Sequence, residues 1–246
     1  MKEVRYFYIP GCETVCDHQE QVELPAEEAQ HAVRVLRLTE GDEVVLMDGV
    51  GKFYRAEIAE ATKKECACRI LESLPQQKEW EAHLHLAMAP TKNLDRTEWL
   101  AEKATEIGFD ELTFLRCQFS ERTVVKLERV EKILVSAMKQ SRKAWKPKLN
   151  EMTDFRQFLQ QPFKGKKYIC HCYEQDDLIP KVLLKDVLTR GEDALVLVGP
   201  EGDFSIEEVR MAEKAGFVGV SLGNSRLRTE TAALVAVHLM HLANEC

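Results

Sequence analysis

Ala194-Leu-Val-Leu-Val-Gly-Pro-Glu-Gly-Asp-Phe-Ser205, followed by Ser221-Leu-Gly-Asn-Ser-Arg-Leu-Arg-Thr-Glu-Thr-Ala232, is the pair of segments around which the chain is organised. Each runs from an apolar strand through a polar loop into a helix. Gly199, Pro200 and Gly202 shape a turn in which backbone can approach a ligand closely, and Ser205 with Glu208 three residues on forms a capping box. The second loop sets two arginines and several hydroxyl or carboxylate side chains directly before an apolar helix. Two such loops at one edge of a parallel sheet predict a binding crevice.

Working outward, the same alternation extends back to residue 81. Ala82 to Met88 predicts a strand, and Asn93 or Asp95 caps a helix striped by Leu100, Ala104 and Ile107 and ended by Gly108. Leu112 to Leu115 is the next strand, and a longer helix carries Leu127, Val130, Leu134, Ala137 and Met138. Then come a strand at Lys167 to Cys170, a weaker helix at Leu178 to Leu188, a strand at Leu195 to Val198 and a helix at Ile206 to Ala215. Phe217 to Leu222 and a helix from about Thr229 to Ala243 complete the series. Strand and helix in alternation predict parallel strands with crossover helices, an α/β sheet.

The first third has a different period. Val4 to Ile9, Asp42 to Met47, Lys52 to Ala59 and Cys66 to Leu71 predict strands, with a turn at Asp48-Gly49. Pro25 before and Gly41 beyond bracket one helix at Ala26 to Leu36. This is the pattern of a small barrel-like β domain over residues 1–72, a polar proline-containing linker at 73–80 and a second domain at 81–246.

The net charge of −7 conceals an asymmetry. Residues 1–72 hold nine Lys or Arg against fifteen Asp or Glu, whereas residues 114–148 hold ten against three. That basic segment is either a phosphate-facing patch or the solvated face of a helix. His31, Arg34 and Arg37 recur every three residues on the first helix and form a second basic patch, open to the same two readings. No apolar run approaches the ~20 residues that span a bilayer, and Met1-Lys-Glu-Val-Arg5 lacks a signal-peptide core, which predicts a cytoplasmic protein. The eight cysteines read mostly as buried thiols. Cys12, Cys16 and His18, or Cys170, His171 and Cys172, lack the paired spacing of a zinc finger, and no metal is expected.

The familiar nucleotide signatures are missing, with neither a G-x-x-x-x-G-K-[ST] loop nor a G-x-G-x-x-G after the first strand of the α/β part, and there is no G-x-S-x-G nucleophile elbow. What it has is Gly199-Pro-Glu-Gly202 with Leu222-Gly223 and Leu227-Arg-Thr-Glu-Thr-Ala232, a pairing that resembles the SPOUT superfamily of knotted RNA methyltransferases. Within it the chain resembles the RsmE family, which methylates N3 of a uridine in small-subunit (16S) ribosomal RNA. His31-Ala-Val-Arg-Val-Leu-Arg37 and Lys103-Ala-Thr-Glu-Ile-Gly108 extend the likeness over nearly the whole chain.

The resemblance implies a PUA-like β-barrel that helps bind RNA, followed by a parallel-sheet domain that binds S-adenosylmethionine in a deep trefoil knot, and a homodimer. It places Gly199, Glu201 and Gly202 on one wall of the cofactor pocket, Leu222, Gly223, Leu227, Thr231 and Ala232 on another, and the loop near Cys172 on a third. Small residues there leave room for the cofactor. One departure stands out. Where the family often has an arginine two residues after the Leu-Gly pair, this chain has Ser225, with Arg226 one place later.

The implied chemistry gives the arginines a purpose. Uridine N3 must lose its proton to become a good nucleophile, so the site must stabilise negative charge on the base, and Arg228 offers a permanent charge and a forked donor set. Its competing role is an ion pair with Glu230 or Glu201. The general base is not readable from the sequence. Arg116, Arg122, Lys139, Arg142, Lys143, Lys146 and Lys148 can line the path of an RNA backbone in a ribosomal RNA or small subunit, with Trp145 either stacked on a base or packed in the fold. Two further readings stay open: a SPOUT enzyme acting on a ribose 2′-hydroxyl, and an RNA-binding assembly factor without catalysis.

Overall fold

The computed structural model describes residues 4–12, 16, 20–62, 64–174, 178 and 180–245, and the chain falls into two compact units. The first comprises Met1–Lys78 with Val135–Lys146, the second Glu79–Leu134 with Pro147–Cys246.

In the first unit, strands β1 (Arg5–Tyr8), β2 (Gln21–Glu23), β3 (Glu43–Met47), β4 (Lys52–Ala61) and β5 (Cys66–Pro75) form one sheet in the order β1-β3-β4-β5-β2. β1 pairs β3 in parallel and the other pairs are antiparallel. Tyr54, Ala56 and Ile58 on alternate positions of β4 face a core with Phe7, Leu46 and Val22, the period of two that the sequence displays. The short strand β2 has too few residues to show that period and is absent from the sequence reading. β5 runs through Pro75, so regular pairing continues into the segment expected to be linker.

The helix expected from Ala26 to Leu36 is two pieces. An α-helix, α1 (Ala26–Gln30), continues as a π-helical turn at His31–Val35, and Arg37 lies beyond it at φ 53°. The wider turn removes the common 3.6-residue face assumed for His31, Arg34 and Arg37, although all three are exposed. Cys12 and Cys16 are joined in a disulfide, which departs from their reading as thiols; His18 lies outside the described residues.

The second unit contains β6 (Leu84–Met88), α2 (Leu94–Ile107), β7 (Glu111–Arg116), β8 (Lys148–Leu149), β9 (Thr153–Asp154), a one-turn α4 (Phe155–Phe158) and β10 (Lys166–Cys170). β11 (Val182–Leu183), a one-turn α5 (Leu184–Val187), β12 (Ala194–Val198), α6 (Ile206–Lys214), β13 (Val218–Ser221) and α7 (Thr229–Asn244) follow. A longer helix α3 (Leu127–Ser141) divides its residues between the two units, so the basic segment 114–148 is split between them too. The strands form one sheet in the order β11-β13-β10-β12-β6-β7-β8, with β9 also on β7, and every pairing is parallel, as the alternation predicts. The weak helix expected over Leu178 to Leu188 is, in its described residues, only β11 and the single turn of α5. Its apolar residues lack a sustained period, and a single turn leaves nucleation uncompensated by propagation.

α7 runs across the sheet. Ala233, Ala236, Val237 and Met240 are fully buried beside Leu100, Ala101 and Ala104 of α2 and Leu84, Leu86 and Val196 of the strands. At its C-terminal end, His241 Nδ1 lies 3.1 Å from the Gly108 carbonyl and Asn244 Oδ1 accepts the Gly191 N–H at 2.7 Å. These contacts hold the helix so that its N-terminus, at Thr229, stands at the opposite edge of the sheet.

Near the starts of β6 and β7, Glu111 gathers His83 Nε2 at 2.8 Å, Asn150 Nδ2 at 2.7 Å and Lys148 Nζ at 3.1 Å, and buried His85 Nε2 meets Thr113 Oγ1 at 2.8 Å. The His83 hydrogen bond holds the Glu111 carboxyl well below its ordinary range and lifts His83, whereas burial pushes His85 down to about 4. A depressed histidine stabilises the fold above its unfolded value of roughly 6.5, and loses that contribution as pH falls toward its folded value. His83, raised, already contributes nearly in full below that unfolded value and loses its share only as pH rises. Urea unfolding from about pH 6.5 to about pH 5 is therefore expected to show a loss of roughly 1.5 kcal/mol, a slope that His85→Gln abolishes.

Candidate active site

The parallel register brings five strand ends level: Cys170 is opposite both Val198 and Val220, Val198 is opposite Met88, and Met88 is opposite Phe114. The loops leaving these strands therefore emerge from one edge, where α7 also begins. Hydrogen bonds tie them together. Asp203, at φ 67°, accepts the Cys172 N–H at 2.8 Å through Oδ2 and its neighbour Phe204 N–H at 2.8 Å through Oδ1. The Tyr173 hydroxyl donates to the Phe204 carbonyl at 2.8 Å. The expected capping box of α6 is present, and Glu208 Oε1 also takes the Gln118 N–H at 2.8 Å, which draws in the loop after β7.

The glycines do different work from one another. A Cβ at Gly199 would lie 3.0 Å from the Phe204 ring and backbone nitrogen, and one at Gly202 would lie 3.3 Å from Phe119 Cβ. Their bareness serves packing within their own loop at Gly199 and against the loop after β7 at Gly202, a use beyond the expected room for a ligand. Gly223 is the one that opens outward: at φ 124° a Cβ there would meet nothing within 4 Å. Glu201 likewise turns away, accepting the Lys92 N–H at 2.8 Å, while Arg122 donates to the Lys92 carbonyl at 2.8 Å. Leu222 and Ala232 are partly buried against the main core and form a floor.

Beside this floor lies a cavity of about 570 Å³. Asp95, Arg96 and Trp99 of α2 line one side, and Arg226, Leu227, Arg228, Glu230 and Thr231 the other. The displaced arginine, Arg226, thus faces the same space as Arg228. Arg228 occupies the N-cap position of α7 without using its side chain as a cap, and the side chain is exposed. Neither carboxylate that competed for it holds it: Glu201 accepts the Lys92 N–H, and buried Glu230 stands with Oε1 3.8 Å from Arg96 Nε. A guanidinium so placed is available to an anionic group in the cavity.

The Cys172 backbone belongs to the assembled loops, and its thiol is pushed up by burial and by Asp203. The neighbouring Cys170 thiol is pushed up to about 12 by burial, which makes it an inert packing group. His171 is buried with neither ring nitrogen hydrogen-bonded, and burial lowers its imidazole.

The cations expected on RNA are dispersed. Arg116 pairs with Asp154 at 3.2 Å and Arg122 braces the Lys92 loop, both near the active edge. In the other unit Lys139 pairs with Glu28, Arg142 stands 5.3 Å over the Tyr6 ring, and Lys143 is partly exposed. Trp145 lies against Gly51, where a Cβ would come within 2.9 Å of its ring, so it packs within the fold. Two aromatic residues at the active edge escape a reading of the sequence: Trp99 is 44% exposed and Phe119 45%. The signal that could have found the first is a tryptophan on the polar side of the amphipathic α2, one place before the buried Leu100.

Known proteins resemble the chain over nearly its whole length. Residues 78–241 match the model of an RNA methyltransferase domain and residues 24–71 that of an RNA methyltransferase PUA domain. Ribosomal RNA small subunit methyltransferase E of Bacillus subtilis is 30% identical over 235 residues, covering 90% of each chain. A probable rRNA-methyltransferase from Porphyromonas gingivalis superposes with a TM-score of 0.87 at 40% identity over 98% of each chain. Ribosomal RNA small subunit methyltransferase E from Neisseria gonorrhoeae, solved bound to S-adenosyl methionine, superposes with a TM-score of 0.83 at 27% identity, again over 98% of each chain.

Proposed function

The chain belongs to the ribosomal RNA small subunit methyltransferase E family of RNA methyltransferases, and from that premise we propose that it methylates N3 of a uridine in small-subunit ribosomal RNA using S-adenosylmethionine. The observation that carries this reading is the cavity in which Arg226 and Arg228 face the same space as Leu227 and Thr231.

The residues present suit the cofactor. Leu222 and Ala232 offer an apolar floor to an adenine, Gly223 leaves its outer side free, and the Cys172 and Gly199 to Gly202 loops supply backbone for the remainder. When bound, S-adenosylmethionine supplies an electrophilic methyl group on a sulfonium. Leu227 and Thr231 line the cavity beside Arg228, where they would hold the cofactor next to the target base. As N3 loses its proton, negative charge spreads onto the carbonyl oxygens of uracil, and Arg228, with Arg226 beside it, stabilises that charge. Trp99 presents an aromatic face on which a base can stack.

The substrate nucleic acid is met by both units: the PUA-type unit through His31, Arg34, Arg37, Arg142 and Lys143, and the active edge through Arg116 and Arg122. Replacing Arg34, Arg37 and Lys143 together by alanine is expected to weaken RNA binding and to flatten the slope of log affinity against log salt by about 0.7 for each phosphate no longer neutralised. Filter binding at several salt concentrations measures this, and an unchanged slope would remove these residues from the interface. The domain organisation at 1–72 and 81–246, a trefoil knot at the active edge, a homodimer and a cytoplasmic location complete the reading. No helix among the described residues is long and apolar enough to cross a membrane.

Incubation with unmethylated small ribosomal subunits and methyl-labelled cofactor, followed by nucleoside mapping, tests the proposal. Labelled 3-methyluridine is the expected product. A label on ribose would favour the 2′-hydroxyl reading, and cofactor-independent RNA binding with no label would favour an assembly factor.

A further inference from the structure

Glu230, in the first turn of α7, has no part in binding the cofactor or in stabilising charge on the base as described above. It is only 7% exposed. Its Oε1 stands 3.8 Å from Arg96 Nε, too far for a hydrogen bond, and its buried Oε2 has no hydrogen-bond partner. A carboxylate removed from water without donors is costly, and such a group in a native fold calls for a reason. The helix dipole favours an acid in a first turn, yet it does so equally for one that stays in water. The reason lies in the neighbours. Glu230 is part of the cavity wall, and the charged groups facing it are Asp95 and Arg96 from α2 and Arg226 and Arg228 from the loop before α7.

A single buried acceptor among cationic donors is the complement of one nucleobase edge. Uracil presents a carbonyl, an N3–H and a second carbonyl in a row. Cytosine instead presents a bare N3 lone pair, which a carboxylate repels, and an amino group, which an arginine repels. Resting on the uridine-N3 reading above, we infer that Glu230 is the proton acceptor of the reaction and the residue that selects uracil over cytosine. The carboxylate accepts a hydrogen bond from N3–H and takes that proton as the N3 electron pair bonds to the methyl carbon. The bond from that carbon to sulfur breaks with its electron pair left on sulfur, converting the sulfonium to a neutral thioether. Glu230 then returns the proton to water. The methylated base has no N3–H and sets a methyl group against the carboxylate, which favours its release.

Glu230→Gln, assayed under single turnover on unmethylated small subunits, is expected to lose about 10²–10⁴-fold in rate. Calorimetry should show S-adenosylmethionine affinity within about twofold of wild type, since positioning of the donor is unaffected. The rate of the variant should climb with pH through the alkaline range, where uracil ionises unaided, while the wild-type rate is level. With subunits reconstituted from 5-fluorouridine-containing RNA, whose N3–H is more acidic, the loss should shrink by about tenfold or more. RNA carrying cytidine at the target should bind wild type more weakly than uridine RNA and bind E230Q equally well. A loss of equal size on both RNAs with parallel pH profiles, or an E230Q rate within about threefold of wild type, would overturn the assignment. If E230Q does not fold, Glu230→Asp decides: a wild-type pH profile at reduced rate supports the assignment, and a full wild-type rate overturns it. Wild-type protein that binds S-adenosylmethionine yet yields no 3-methyluridine would instead overturn the functional reading on which this rests.

Discussion

Replacing Arg228 by alanine is expected to slow methyl transfer by about 10²–10³-fold, the usual cost of removing one donor aimed at a developing anion. Affinity for S-adenosylmethionine is expected to stay within about twofold, because the charge acts on the base in the cavity and the cofactor rests on other residues. Three features of Arg228 favour this outcome. Its backbone occupies the N-cap of α7, so its position is set by a helix whose far end is anchored through His241 and Asn244. Its side chain makes no cap hydrogen bond, and Glu201, one carboxylate that competes for it, instead accepts the Lys92 N–H. Arg228→Lys should recover only part of the rate, since an ammonium keeps the charge and loses the fork. Single-turnover rates with saturating cofactor separate the two effects. A drop in cofactor affinity with an unchanged rate would return Arg228 to a purely structural role.

Gly199→Val is expected to remove cofactor binding and to destabilise the protein by about 3 kcal/mol, the upper part of the range for forcing atoms into a packed site. The obstacle is backbone as much as side chain. The new Cβ would come within 3.0 Å of the Phe204 nitrogen and 3.2 Å of the Asp203 carbonyl carbon. Neither can retreat without opening the turn closed by the Asp203 N–H to Pro200 carbonyl bond at 2.9 Å and the Cys172 N–H to Asp203 bond at 2.8 Å. Because Asp203 links two of the loops, strain at Gly199 reaches the wall near Cys172. Urea denaturation reads the first effect and calorimetry the second. Wild-type cofactor affinity in this variant would show that the Gly199 to Gly202 loop is not a wall of the pocket.

The two expectations differ in how far they were legible beforehand. The glycines at 199 and 202 stand out as letters, but the sequence does not reveal that Phe204 and Phe119 pack against them. Gly223 looks equivalent in the sequence and is the one beside open space. The helix at Ala26 to Leu36 illustrates a second limit. Its apolar spacing announces a helix, but a π-helical turn at His31–Val35 rotates the later residues away from the face that a 3.6-residue period assigns them. Glu230 was nameable as a competing partner of Arg228 from proximity in the chain and Glu201 from the neighbouring loop, whereas the partner Glu201 takes is Lys92, 109 residues away.

The order of the longer strands and helices, the parallel sheet, the capping box and the loops bearing Gly199 to Gly202 and Leu227 to Ala232 were determined by the sequence alone, because local periodicity and turn chemistry act between near neighbours in the chain. Tertiary structure decided what depends on distance through space: the level strand ends that bring those loops together, the facing of Arg96 and Trp99 toward Arg226 and Arg228, and the burial of Glu230 without a donor. A carboxylate in a first helical turn is commonplace as sequence. It becomes a candidate base only when packing removes it from water and surrounds it with cations, and no local pattern encodes that.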